Sequence, residues 1–215
     1  MSNVEQMLAE IQSVGGYGRR YVAYLNQLLA ALDFSALGKF VEVLMAARQA
    51  GRTVFLVGNG GSAATASHWA TDLGQGTRVP GGPLFRTLSL TDNMAAFSAL
   101  GNDRGYSEVF VGQLEGLFQP GDVLVAISAS GKSPNVLRAI EYANAHGGTT
   151  VGLLGFDGGQ MKSLCHLCIH VETPKGEYGP VEDIHLIVDH LVTGYIRARL
   201  QASVPPPRIP EGDQR

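Results

Sequence analysis

Cysteine is nearly absent from this 215-residue chain, which holds only Cys165 and Cys168. Two cysteines cannot build a disulfide framework, and a single C-x-x-C lacks the second ligand pair that a tetrahedral zinc site needs. A haem attachment would require histidine at position 169, where Ile169 stands. The residues that follow alternate like a strand, so both are read as buried structural thiols. Charge is scarce as well: 16% of residues are Asp, Glu, Lys or Arg, against about 25% in ordinary domains. With a net charge of −3 and no basic tract, there is no electrostatic footprint for nucleic acid or an anionic membrane surface. Few charges also mean less surface that must face water, which predicts a homo-oligomer whose copies cover one another. No run approaches the ~18 apolar residues of a membrane helix, and residues 1–12 lack the basic-then-apolar pattern of a leader. The expectation is a cytoplasmic protein.

Glycine, in contrast, is abundant, at 28 residues. The glycines cluster without a period, as at Gly58, Gly60, Gly61, Gly74 and Gly76, so collagen and linker readings fail.

Five short apolar or β-branched runs, at 53–57, 87–90, 123–127, 150–154 and 167–171, are nearly continuous, as in strands buried on both faces. Helical patterns lie between them near 62–75, 106–116, 134–146 and 158–164. Alternation of this kind predicts right-handed crossovers and a three-layer αβα sandwich with a five-stranded parallel sheet. Helical spacing over 4–31, broken at Gly15 and Gly16, and a helix over 34–49 capped by Asp33 or Ser35 and stopped by Gly51, precede the sheet. A long helix over 181–202 follows it. The expected organisation is an N-terminal helical arm over 1–50, packed on the core or on a neighbouring subunit, a sheet domain over 51–202, and a disordered tail over 203–215.

The loops after the first and third strands carry the chemistry. In Gly58-Asn59-Gly60-Gly61-Ser62, glycines let backbone amides turn toward an anion while Ser62 can cap the next helix. The same residues with Ala63 fit the dinucleotide pattern G-x-G-x-x-A, although Asp92 lies further on than the usual ribose partner. Ser128-Ala129-Ser130-Gly131-Lys132-Ser133-Pro134 ends like a nucleotide P-loop, but that motif needs glycine where Ala126 stands. Three hydroxyls followed by proline at a helix start suit a compact phosphate monoester; a strand-end turn with capping serines is the plain alternative. Two such cradles at the carboxyl ends of parallel strands predict a pocket for a phosphorylated small molecule. Further along the helix after the first cradle, His68 and Asp72 stand four residues apart and so point off one helix face. That pair suits one ligand or metal, and suits equally an ordinary surface pair.

Gly58-Asn59-Gly60-Gly61-Ser62, Leu100-Gly101-Asn102-Asp103-Arg104-Gly105-Tyr106 and Ile127-Ser128-Ala129-Ser130-Gly131-Lys132-Ser133, in that order, resemble the sugar isomerase (SIS) domain family, in its phosphoheptose isomerase branch. The resemblance covers about 1–200 and implies the SIS fold, a phosphorylated-sugar substrate, one zinc per site and a homotetramer. It implies an enzyme that interconverts a ketose and an aldose phosphate, sedoheptulose 7-phosphate to D-glycero-D-manno-heptose 7-phosphate, by enediol proton transfer. A non-catalytic SIS protein that binds a sugar phosphate or a protein partner, like the family's replication-initiation regulator, is the alternative.

The resemblance also assigns roles. It implies Ser128, Ser130 and Ser133 on the phosphate, Asn59, Gly60 and Gly61 on the sugar, Asn102 and Asp103, on a further loop, lining the sugar pocket, and Ser62 and Ala129 as further substrate-binding residues. His68, Asp72, Glu182 and His190 are the implied metal ligands, Glu182 and Asp72 also touch substrate, and Asp72 and His190 are the implied proton-transfer pair. Here Asp72 stands where the family has glutamate, and Glu182 where it has glutamine. The extra negative charge favours a divalent cation. Eight residues of continuous helix span ~12 Å, too far for Glu182 and His190 to touch one ion. Either the last helix starts after Glu182, or neighbouring subunits contribute. Nothing assigns His185, Asp189, His166 or His170 a role; His146, at a helix end before Gly147, is accounted for by a capping or dipole role.

Overall fold

The apolar runs form β1 (Thr53–Gly58), β2 (Arg86–Ser89), β3 (Val123–Ser128), β4 (Thr149–Phe156) and β5 (Leu167–Glu172). They make one sheet of order β2-β1-β3-β4-β5 in which every neighbouring pair is parallel. The structure is a computed structural model that describes residues 2–9 and 13–203. The tail expected over 203–215 falls outside these residues from 204 onward.

Alternate side chains serve opposite faces of the sheet, which is why the runs are apolar throughout. Val54 and Leu56 of β1 and Val123, Val125 and Ile127 of β3 pack into one core. Phe55, Val57, Leu124 and Ala126 pack into a second. The first core is covered by α3 (Phe34–Gln49), α4 (Gly61–Thr71) and α9 (Tyr178–Ala202), the second by α6 (Val111–Leu117) and α7 (Pro134–Ala145). This is the three-layer sandwich. The remaining helices are α1 (Asn3–Ala9), α2 (Val14–Ala30), α5 (Met94–Asp103) and the single-turn α8 (Met161–Leu164).

Cap chemistry sets several ends. Asp33 Oδ1 accepts from the amides of Ser35 at 2.8 Å and Ala36 at 3.0 Å at the head of α3. Gly51, at φ +64°, closes the same helix in the left-handed region. Ser62, expected as a cap, lies inside α4; the chain turns at Gly60, φ +55°, and no side chain caps this helix. The break expected at Gly15 and Gly16 is displaced as well, because Ser13 caps α2 from the residue before Val14 and both glycines are helical. The pattern over 106–116 divides into a 3-10 turn, Tyr106–Glu108, and α6. Cys165 and Cys168 are half-buried free thiols.

The helix α5 departs furthest from the sequence reading, which has no helix there and places Asn102 and Asp103 on a loop. No residue of α5 is fully buried; Ala96, Phe97 and Leu100 are half-buried at helical spacing, with Phe97 against the second core, a stripe too short to stand out from the surrounding alanines. The arm, too, divides differently. Leu37, Phe40 and Leu44 of α3 lie in the first core, whereas α2 packs only the half-buried Leu25, Leu28 and Leu29 against it and adds polar contacts at the head of α9. Tyr21 donates to Asp183 Oδ2 at 2.6 Å, and the buried Glu177 receives the Tyr24 hydroxyl at 2.5 Å and the Asn3 amide at 2.5 Å. Burial, with the Glu177 bond second, pushes the Tyr24 hydroxyl up to about 12.

Candidate active site

The sheet reverses its winding at β1: the chain adds β2 on one side and then β3 on the other. In open α/β sheets the carboxyl ends of the strands flanking such a reversal form the ligand crevice. Both loops singled out from the sequence fall there, one after β1 and one after β3.

The loop after β3 is organised by its own hydroxyls. Ser128 Oγ accepts from the Gly131 amide at 3.2 Å, Ser130 Oγ accepts from the Lys132 amide at 3.3 Å, and the two oxygens lie 3.4 Å apart. Ser133 precedes α7, whose first residue is Pro134, yet its side chain makes no capping bond. Gly131 has φ +59°, and a Cβ there would strike the Gly158 carbonyl. A Cβ at Gly159, φ +54°, would strike the carbonyls of Ser130 and Gly131. The two strand-end loops therefore interlock through glycines, and the serine loop takes its shape from β4 as well as β3.

A cavity of about 120 Å³ opens here, lined by Asn59, Ser62, Ile127, Ser128, Ala129, Ser130, Ser133, Tyr178 and Glu182. Gly60 and Gly61, the turn and helix start between Asn59 and Ser62, do not line it themselves; a Cβ on Gly61 would collide with the Glu182 carboxylate. Burial, then the neighbouring Asp183, raises the Glu182 carboxyl above the usual range. The Asn59 amide exchanges two hydrogen bonds with the buried Asn135, at 2.8 and 2.9 Å, and its oxygen also accepts from the Tyr106 hydroxyl at 2.8 Å. Asn102 donates to Asp103 Oδ1 at 2.7 Å on the exposed last turn of α5, and neither residue lines this cavity.

Further along α4 and α9 lies a second group. His68 Nε2 is 3.1 Å from His190 Nε2 and 3.5 Å from Asp72 Oδ2, and His190 Nε2 is 3.8 Å from the same oxygen. Asp72 opens a π-helical turn, Asp72–Gly76, that continues α4; such turns are frequent at functional sites. A zinc ion with four ligands at roughly 2.0–2.1 Å separates them by about 3.3 Å. The three distances bracket that edge, so these residues suit a small divalent cation. The group borders a cavity of about 230 Å³ lined by Asp72, Gly76, His190, Thr193, Gly194 and Arg197.

Glu182 does not join this group. Because α9 runs unbroken from Tyr178, the late start of the last helix that would have brought Glu182 and His190 together does not occur, and of the two alternatives only a contribution from a neighbouring subunit would bring a Glu182 to this group. Asp189, which the sequence reading leaves without a role, takes its place: one of its oxygens lies within 4.8 Å of the ligand atoms of His68, Asp72 and His190. It is completely buried, and burial, with Asp72 second, pushes its carboxyl up to about 8. Its position directly before His190 was the one available signal. Tyr178, which lines the first cavity, has no such signal, since a lone tyrosine in a sequence is most often packing; Tyr106, part of the second motif, reaches the site only through its bond to Asn59.

The SIS domain family model matches residues 17–155. The chain belongs to the SIS domain family, on its phosphoheptose isomerase branch. The phosphoheptose isomerase of Rhodospirillum rubrum is 39% identical over 165 residues, 77% of this chain and 86% of that protein. Among solved structures, the phosphoheptose isomerase of Neisseria gonorrhoeae superposes with a TM-score of 0.76 at 26% identity, covering 86% of this chain and 97% of its own. That of Francisella tularensis gives 0.77 at 25%, covering 86% and 96%. The SIS domain sheet and its crevice thus recur in enzymes of this branch. Among the described residues, no helix is long and apolar enough to cross a membrane.

Proposed function

We propose that the chain is a ketose–aldose phosphate isomerase that converts sedoheptulose 7-phosphate to D-glycero-D-manno-heptose 7-phosphate, with one zinc per site, as a cytoplasmic homotetramer. The observation that carries the reading is the placement of a serine cradle and a His–Asp group along the same two helices. From Gly61 to His68 along α4 is about 10 Å at 1.5 Å per residue. The eight bonds from phosphorus to the terminal carbon of an extended heptose phosphate cover about the same length, at roughly 1.2 Å per bond. A phosphate held at one end therefore delivers the carbonyl end of a seven-carbon sugar to the other.

Ser128, Ser130 and Ser133 bind the phosphate, with the uncapped start of α4 facing the same space. Glu182, Asn59 and Tyr178 border the sugar chain. Asp72 removes the proton from the terminal carbon beside the ketone while the ketone oxygen gains one, which gives the enediol. His190 is the carrier of that second proton, taking the hydrogen that the terminal oxygen loses and supplying the one that the ketone oxygen gains, and Asp72 returns its proton to the adjacent carbon, leaving the aldose. Zinc at His68, Asp72 and His190 would supply Lewis-acid stabilisation of negative charge on those oxygens. The homotetramer is supported by the low charge and by exposed Phe34, Leu191 and Tyr195 around an apolar groove of about 280 Å³.

The test is turnover. Purified protein incubated in D2O with sedoheptulose 7-phosphate, with and without zinc, is expected to form the aldose carrying deuterium next to its carbonyl, read by NMR. No turnover of this or of any ketose phosphate in a panel, with the fold intact, would overturn the reading.

A further inference from the structure

We infer that Asp189 is the fourth protein ligand of the metal site, in the position that resemblance assigns to Glu182. The inference rests on the metal-bearing reading above and changes which side chain completes it.

Asp189 is completely buried, and among the described residues neither of its carboxylate oxygens has a hydrogen-bond partner. A carboxylate in that state is costly whether ionised, when its charge is unsolvated, or protonated, when its hydroxyl goes unpaired. The neighbouring His185 does not relieve it: its Nε2 bonds the Leu154 carbonyl at 3.2 Å, and its Nδ1 is itself without a partner. What Asp189 does face is the ligand atoms of His68, Asp72 and His190, all within 4.8 Å of one another. Two imidazoles and two carboxylates converging on one point form a donor set for a divalent cation, whose charge offsets that of the two acids. Glu182 stands eight residues earlier on the same unbroken helix, ~12 Å away along its axis, with its carboxylate against Gly61 at the serine cradle. The two acids of α9 therefore divide the work: Asp189 serves the ion and Glu182 the substrate.

The experiment measures binding of Zn2+ alone by competition with a chromophoric chelator, and the visible spectrum of the Co2+-loaded protein, for the parent, Asp189→Asn and Glu182→Gln. Asp189→Asn is expected to weaken Zn2+ binding at least tenfold and to change the Co2+ ligand-field bands. Glu182→Gln is expected to keep both within twofold of the parent. Asp189→Ala repeats the measurement without a polar side chain, so a folding defect in one variant, seen by circular dichroism, leaves the other to decide. If the parent binds Zn2+ and either Asp189 variant binds it as tightly, or if Glu182→Gln loses as much, the assignment is overturned while the metal reading stands. A parent that binds no Zn2+ overturns both.

Discussion

Two imidazole nitrogens 3.1 Å apart, His68 Nε2 and His190 Nε2, cannot both present lone pairs to each other without a proton or a cation between them. In the proposed mechanism Asp72, 3.5 Å from His68 and 3.8 Å from His190, is the base. Asp72→Asn is expected to lower kcat by about 10²–10⁴ with KM within a few-fold, as loss of a general base does; steady-state kinetics check it. The Ser133 hydroxyl, which makes no capping bond, is free for a ligand. Ser133→Ala is expected to raise KM for the sugar phosphate roughly 10- to 100-fold, the worth of a hydrogen bond to a charged group, with the melting temperature unchanged. His185 supplies a pH effect: burial, with His170 adding repulsion, lowers its pKa from 6.5 to about 4. Between those values the unfolded chain binds the extra proton, so this contribution is complete above pH 6.5 and is lost as pH falls toward 4, by up to about 3 kcal/mol. Urea midpoints of the parent should fall more steeply over that window than those of His185→Gln; parallel profiles would refute the assignment. Of these residues, His68, Asp72 and the serines are legible as types at a spacing. Asp189 is not, because nothing in a sequence says that a helical aspartate beside a histidine points inward without a partner.

Elements were legible where burial left a pattern. Four of the strands, β1, β3, β4 and β5, carry apolar side chains into the cores, which a run of Val, Leu and Ile announces; the edge strand β2 buries only Ser89. The helix α5 buries no residue fully and packs on the second core mainly through the half-buried Phe97, so its pattern is weak and the sequence reads its last turn, with Asn102 and Asp103, as a loop. Turn geometry was half legible. Glycine marked the strand ends, but which glycine bends and against what depends on a neighbouring loop distant in sequence. Gly131 illustrates this: its conformation and the Gly158 carbonyl both forbid a side chain. Gly131→Ala is expected to destabilise the protein by about 2 kcal/mol or more, from left-handed backbone strain plus displacement of the loop after β4. Thermal or urea unfolding measures this, and phosphate affinity should fall with it.

For the whole molecule, the sequence reading of a doubly covered parallel sheet holds because strand–helix alternation leaves few other topologies. What it could not supply was the distance between the two ends of the crevice, since that depends on two helices, α4 and α9, packing side by side. For the proposed homotetramer the candidate contact is the apolar groove where Phe34 and Tyr195 are 60% and 57% exposed beside Leu191, at 42%. Tyr195→Asp is expected to lower the mass measured by light scattering from that of a tetramer to that of a smaller species, with the secondary structure retained. The polar clasp at the head of α9 has a consequence in time. Tyr24 and Glu177, which hold Tyr178 and Glu182 beside the cradle, lie 153 residues apart. At synthesis rates of about 5–20 residues per second, the arm waits roughly ten to thirty seconds for its acceptor. The catalytic crevice is therefore among the last parts of a newly made chain to close, after the sheet on which it rests.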